Sequence, residues 1–429
     1  MLLVAGMALL AACDLDKTNP NAPTQEATLG SPDGVLATAV GLQNRFGTST
    51  GAFIYAAGLV TDELAAVSAA LVTISDAEVG IVTPGAGFSA DFWNSEYRTI
   101  KTANDVIASA SIVTLDPGTR AGLLGMAYLI KAAAIGELLQ GFKQVALDTY
   151  NTATPVFVER GAALAAVLAL LDSAETQLTT TPVSAQFTNN VLARGFDLRN
   201  TIRAYRARYH RIGGNHQAAL TAADAVDRTV FSVLPFSTTV RNPVNTLAAG
   251  SSGVLPRDAF RLAAETGDAR IAAHVVAAAI TGRVGTPLDN YARYADPAAS
   301  IPTYYPDEVL LIKAEALVNL NQLTAAKAAL DSVRTDCPGR VPNDPNACLP
   351  PSSATTGPAL LADIYDQRRF ELFATGLRWE DTRRRNTVGA GAAGKRCWLP
   401  YTIGERNANP ANVPPDPEGT DAPAFPATC

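Results

Sequence analysis

The chain has 429 residues, more than an average single domain but within reach of one large helical domain with inserted loops. Hydrophobic residues make up 48% and charged residues 17%, enough for a sizeable core, and a net charge of −6 argues against a nucleic-acid partner. Only three histidines are present, His210, His216 and His274, so histidine catalysis or metal ligation has little material; no metal or other cofactor is expected.

Met1 to Ala12 is an apolar run closed by small residues and Cys13. It is too short for a membrane-spanning helix, which needs about 20 residues, and has the length of a signal-peptide core. Leu10-Ala11-Ala12-Cys13 matches the bacterial lipobox. The expectation is a signal peptide over residues 1–12, a lipidated Cys13, and a flexible tether to about residue 30 punctuated by Pro20 and Pro23. Acyl chains would then hold the protein at a membrane surface.

From residue 31 onward apolar spacings of three and four predict helices over 32–47, 51–70, 88–112, 117–140, 158–178, 196–212 and 215–228. Residues 229–305 change character. Short strands and loops are predicted there around Val230–Leu234, Asn290–Tyr294 and Ile301–Tyr305. Helices resume over 306–321, 323–335 and 358–376, and the tail after 385 reads as irregular. The apolar stretches 121–139 and 161–171 are broken or bounded by charged residues and read as core or amphipathic helices.

Two of these segments share a pattern. Gly213 precedes Ala218, Ala222 and Ala225; Asn321 precedes Ala326, Ala329 or Leu330, and Val333. A residue that tolerates the left-handed conformation, followed by small residues on the next helix, is the mechanical logic of a tetratricopeptide hairpin. Besides Cys13, four cysteines lie in the last quarter: Cys337, Cys348, Cys397 and Cys429. An even number fits an oxidising compartment. Local pairing would join Cys337 to Cys348 and Cys397 to Cys429, with the connectivity left open by the sequence.

Several segments, in order, resemble the SusD/RagB family. Trp93, Tyr97, Ile100, Ala103, Asn104 and Ile107 are similar to one family helix, and Ala127 to Ala133 to another, with Lys131 at the usual arginine. Ala204 to Gly213 resembles a family hairpin. The most specific likenesses are Pro306-Asp307-Glu308-Val309-Leu310-Leu311-Ile312-Lys313-Ala314-Glu315-Ala316 and Ile364 to Arg384, although Asp366-Gln367 and Ala374-Thr375 depart from the family pattern. The resemblance implies a mainly α fold with tetratricopeptide-like hairpins, mainly within 88–228 and 306–376, and a loop-rich ligand-binding half, 229–305 and 386–429, all in one domain over 31–429. It also implies an outer-membrane lipoprotein facing the exterior, with no enzymatic activity. Such a protein captures an oligosaccharide or similar oligomer, glycan or peptide, and delivers it to a SusC-like TonB-dependent transporter. A tetratricopeptide-type adaptor on the membrane surface and a secreted hydrolase are the competing classes.

A sugar ligand calls for exposed aromatic faces with polar groups beside them. The loops offer Phe88, then Asp289, Asn290, Tyr291, Arg293, Tyr294 and Tyr304, and finally Trp398 as ligand-binding candidates. The charged cluster from Arg368 to Arg385 reads as structural. In it, Gly376 breaks a helix after Phe373, Arg378 and Asp381 are placed for a local ion pair, and the arginines are available to Glu308 and Glu315. Those two glutamates, seven apart on one helical face, do not straddle a substrate as a glycosidase pair must. Trp93 and Trp379 read as core.

Overall fold

The computed structural model describes residues 24–337, 344–419 and 429; Cys13 and the signal peptide expected before it lie outside the described residues. The architecture is mainly α. The chain opens with a short helix α1 (Gln25–Leu29) and a long one, α2 (Pro32–Leu59). Ser31 caps α2 by accepting from the Gly34 amide, and Pro32 sits where a missing N–H costs nothing. The predicted break near residue 48 is absent, because 16 of the residues from Val35 to Leu59 are buried and the helix runs on through the core. The helix expected to reach residue 70 ends instead at Leu59, and Leu64–Ala66 (β1) turns into a strand that pairs with a distant segment, Val254–Pro256.

After α3 (Val72–Ala77) come α4 (Gly87–Ile112) and α5 (Pro117–Gly141). Asp116 caps α5 through the Thr119 amide, 2.9 Å away. Apolar nearly all round, α5 is the central helix and packs against α2, α4 and the later helices α6 (Arg160–Thr180), α7 (Ala185–Asn190) and α8 (Leu198–Ile212). Both α5 and α6 are long and apolar enough to cross a membrane, but 83% of the α5 window is buried inside the protein, and α6 buries a single stripe of Ala163, Val167, Leu171, Ala174 and Leu178. Between α5 and α6 the strands β2 (Gln144–Ala146) and β3 (Phe157–Glu159) pair antiparallel. Close approach of α5 and α8 depends on Gly136, where a Cβ would fall 1.9 Å from the Tyr209 hydroxyl.

The two expected hairpins are present. Helix α8 is followed by α9 (His216–Asp224), and α13 (Pro306–Asn319) by α14 (Leu323–Arg334), with α9 packed against α13 and α13 against α15 (Gly357–Glu371). Asn321 takes the left-handed conformation at φ 57°, as expected. In the first hairpin the left-handed residue is Gly214 (φ 73°) rather than Gly213 (φ −77°). Ala222 is buried as expected, whereas Ala218 and Ala225 give way to their neighbours Ala219 and Val226, with Ala223 buried as well. In the second, Ala326, Ala329, Leu330 and Val333 are buried as predicted.

Residues between these hairpins form the loop-rich half. It holds β4 (Val233–Leu234) paired with β8 (Ile301–Pro302), β5 (Val254–Pro256) paired with β1, short helices α10 (Pro243–Thr246), α11 (Asp258–Leu262) and α12 (Arg270–His274), and an antiparallel hairpin of β6 (Val275–Thr281) and β7 (Pro287–Tyr291). After α15 the chain turns through Ala374 (φ 53°) and Gly376 (φ 83°), where a Cβ would meet the Phe53 ring at 2.4 Å, into α16 (Leu377–Arg384) and later α17 (Ile403–Ala408). Disulfides join Cys337 to Cys348 and Cys397 to Cys429.

A buried ionic knot fastens the helices. Asp381 on α16 accepts from Arg211 of α8 and Arg368 of α15, both at 2.7 Å. Glu315 of α13 accepts from Arg211 as well and from Arg384 at 2.6 Å. Arg208 holds Glu308 through two 2.7 Å bonds and the Thr303 carbonyl at 3.0 Å. The expected local pair between Arg378 and Asp381 does not form. Arg378 reaches back to Asp62 at the end of α2, at 2.9 and 3.0 Å, because Asp381 already faces two other guanidiniums. Glu315 does pair with the 368–385 cluster, through Arg384, whereas Glu308 pairs with Arg208 of α8. Against the upward pull of burial, Arg211 and Arg368 hold the Asp381 carboxyl well below the usual carboxylate range.

Asp381→Asn leaves Arg211 and Arg368 buried without their shared counter-charge. It is expected to cost about 3–5 kcal/mol in urea denaturation, and a loss below about 1 kcal/mol, the range of an exposed pair, would show that the knot contributes little.

Candidate functional site

The loop aromatics do not form an exposed platform. Phe88 is buried edge-on to Tyr55, with ring centroids 6.1 Å apart. Tyr291 and Tyr294 pack against each other within the core, and Tyr304 is buried with its hydroxyl donating to the Val230 carbonyl at 3.0 Å. Trp398 is buried under the guanidiniums of Arg160 and Arg383, and Tyr401 stacks with Phe142. Asp289 is fully buried; it accepts from Arg261 at 2.7 and 3.1 Å and from the Ala278 amide. Arg293 is half-buried over the Tyr305 ring, leaving Asn290 as the candidate that is exposed. The physical reason is that the short strands and loops of this half have no core of their own, so its tyrosines turn inward and seal it against the helices. Among the described residues Tyr150 is the only exposed aromatic.

What the loops around α3 and the adjoining tip of the β6–β7 hairpin expose is aliphatic. Leu71, Val72 and Val79 around α3, and Val284 at the tip of the β6–β7 hairpin, are each more than half exposed. One buried carboxylate organises their supports. Glu78 accepts from the Ala66 amide at 2.5 Å, from Arg257 at 3.2 Å and from the Thr286 hydroxyl at 3.2 Å, so β1, the region before α11 and the hairpin tip converge on it. Arg283 completes the join by donating its amide to the Ala66 carbonyl and its guanidinium to the Ala70 carbonyl. Ile81 and Ile403, both exposed, lie on adjoining segments, because the Ile403 amide donates to the Pro84 carbonyl. The result is an aliphatic surface on rigidly cross-tied loops. The signal missed in the sequence was the two aliphatic pairs, Leu71-Val72 and Val79 with Ile81 about Gly80, flanked by small residues.

The cavity beneath Tyr304, lined by Glu137, Gln140, Tyr205, Arg208 and Glu308, measures about 20 Å³, room for one water. Glu308 and Glu315, the pair considered for glycoside cleavage, are buried in ion pairs with arginines. His210 is half-buried on α8, His216 opens α9 and His274 is buried in the core at the end of α12, so the three do not converge. Asp307, Asp336 and Asp344 bring carboxylate oxygens within 4.8 Å of one another, but each is engaged in other interactions.

Residues 307–409, from the start of α13 through α17, match the sequence model of the SusD family. Over that stretch the chain is similar to the SusD/RagB family. The SusD-like fold extends well beyond it. A SusD superfamily protein from Bacteroides fragilis superposes with a TM-score of 0.66 at 18% identity, covering 89% of this chain and 98% of its own. A SusD-like carbohydrate binding protein from Bacteroides fragilis gives 0.69 at 14%, covering 90% and 100%. B. fragilis NanU gives 0.69 at 15%, covering 95% and 100%. At these identities the likeness is one of fold. A search of curated protein sequences finds no significant match. The SusD-family segment contains Glu315, Arg368, Asp381 and Arg384, so the ionic knot lies largely within it.

Three buried glutamates set a pH dependence. Burial, reinforced by the neighbouring Asp62 charge, pushes Glu63 up to about 8. Burial also raises Glu137, and burial together with the charge of Glu137 raises Glu96. Each raised carboxyl contributes stability that is fully present below the ordinary glutamate value of 4.5 and is lost as pH rises through its folded value. Relative to Glu63→Gln, the wild type should lose thermal stability between pH 4.5 and about 8; a Tm difference between the two that stays constant across this window contradicts the assignment.

Proposed function

We propose that this chain is the ligand-capturing lipoprotein of an outer-membrane uptake pair. It binds an oligosaccharide or similar oligomer at the cell surface and passes it to a SusC-like TonB-dependent barrel. Residues 31–429 act as one domain, anchored through acyl chains on Cys13 and facing the exterior. The observation that carries this reading is the SusD-family match over residues 307–409, on a fold shared across nearly the full length of SusD-like proteins. One of those is described as carbohydrate binding, which favours a glycan. The lipobox at Leu10–Cys13 supports the anchor. Binding without chemistry is supported by the engagement of Glu308 and Glu315 in core ion pairs, where neither carboxylate is available to a substrate.

A peptide oligomer is the second reading of the ligand, favoured by one observation. The exposed loop surface is aliphatic, Leu71, Val72, Val79 and Val284, and lacks the aromatic faces on which sugar rings stack. Hydrophobic side chains of a peptide pack on such a surface, with specificity coming from the polar rim.

Calorimetric titration with soluble oligosaccharides and with oligopeptides separates the two. Leu71→Asp and Val79→Asp each place a charge on the proposed contact surface. Both are expected to weaken binding at least tenfold, about 1.4 kcal/mol, while shifting stability by no more than about 0.5 kcal/mol, as for other exposed positions. Unchanged affinity in both variants would move the ligand site elsewhere. In cells, Cys13→Ala is expected to move the protein from the membrane fraction to the soluble fraction and to abolish labelling by radioactive palmitate. A Cys13→Ala protein that stays membrane-bound and labelled would refute the anchor.

A further inference from the structure

The opposite character from the aliphatic loop surface is found where α1, α2 and α4 meet. Two adjoining hollows of about 570 and 220 Å³ run between α2 and α4, and both are lined by Arg45 of α2 and Arg98 of α4. Lys101 lies on the same face of α4 as Arg98, three residues on. The rest of the lining is one carboxylate, Asp105, which is paired with Lys101, and otherwise mostly hydroxyls, amides and short side chains, with no aromatic ring.

Most arginines of this chain are committed to carboxylates or backbone carbonyls, as in the knot around Asp381. Arg45 and Arg98 are exposed, and their guanidiniums make no hydrogen bond or ion pair among the described residues. Lys101 is tied only to Asp105, at 2.7 Å, with its own side chain 57% exposed. Three cations thus converge on one groove of a protein whose net charge is −6. Two guanidinium forks facing a concave polar surface suit the tetrahedral oxygens of a phosphate, which each fork can grip by two parallel hydrogen bonds.

We propose that this groove binds phosphorylated headgroups of the membrane surface on which the protein sits. The inference rests on the anchor read at Cys13. Ten residues separate Cys13 from Thr24, so the chain between them can reach at most about 40 Å. Gln25, Thr28 and Leu29, which follow immediately, line the groove itself. The groove therefore lies within tether reach of the acyl chains, and a protein repelled as a whole by an anionic surface presents its positive face there. Headgroup binding would orient the body on the membrane and leave the aliphatic loops free for ligand and barrel.

The test uses the full-length chain carrying Cys13→Ala, with vesicles of phosphatidylcholine alone and of phosphatidylcholine mixed with phosphatidylglycerol. Pure phosphatidylcholine gives the baseline for any contribution of the apolar leader. Preferential binding to the anionic vesicles is expected, weakening with salt and falling about fivefold for each of Arg45→Gln and Arg98→Gln. Arg228→Gln, an exposed arginine on the chain after α9, should change nothing. Equal binding to both vesicle types, or an undiminished preference in the double variant, overturns the proposal. So does complete displacement by millimolar inorganic phosphate, which would mark a site for soluble anions, or stronger binding to a sulfated glycan than to the vesicles. Lipidation of Cys13 is read separately by palmitate labelling, so an unmodified Cys13 with intact anionic preference would fault the anchor and not the groove.

Discussion

Asp381 sits where four helices meet, and its carboxylate is the counter-charge for guanidiniums arriving from α8 and α15. Glu315 on α13 shares Arg211 with it and takes Arg384 from α16. Ion pairs buried to this degree are poor sources of net stability, since desolvating each partner offsets most of the attraction. Their effect is on specificity: only one register of α8, α13, α15 and α16 satisfies all the charges together. Arg384 also donates to the last carbonyls of α8, at Arg211 and Ile212, which ties the helix end that leads into the first hairpin turn.

This constraint makes the rest of the architecture intelligible. With the hairpins α8–α9 and α13–α14 fixed, the segment between them is held at both ends and folds as a set of two-stranded pieces that cannot form an independent core. It borrows one from the helices. Tyr291, Tyr294, Tyr304 and Tyr305 are turned inward for that purpose, and Arg257, Arg261 and Arg270 are matched by Glu78, Asp289 and Asp268. The functional consequence is a loop surface stiff enough to present aliphatic side chains to solvent without collapse. On the side of α1, α2 and α4 the groove between Arg45 and Arg98 carries the opposite chemistry, so one face suits contact with apolar groups and the other with anions.

The helical layer was largely legible because its signals are local. Ser31, Asp116 and Asp197 cap helices that follow within three residues, and the small residues after Asn321 announce the second hairpin. The same local logic misjudged Gly213, since Gly214 beside it was equally able to take the positive φ, and it put Ala218 and Ala225 where Ala219 and Val226 are buried, although Ala222 was placed correctly. It also extended a helix to residue 70 across Leu64–Ala66, where pairing with residues 254–256, nearly two hundred positions away, overrode helical preference. The ligand candidates failed for a related reason. A tyrosine in a loop reads alike whether it faces solvent or core, and burial depends on what packs over it.

By itself, then, the sequence determined the α class, the turn at Asn321 and the structural role of the 364–384 cluster, each written in adjacent residues or in motif spacing. The tertiary structure decided which acid meets which arginine, that Arg378 belongs to Asp62 and Glu308 to Arg208. It also decided which apolar residues are left outside. The reason is physical: caps, periodicity and turn propensities act over a few residues, whereas ion pairing and burial depend on surfaces brought together only when the chain closes on itself.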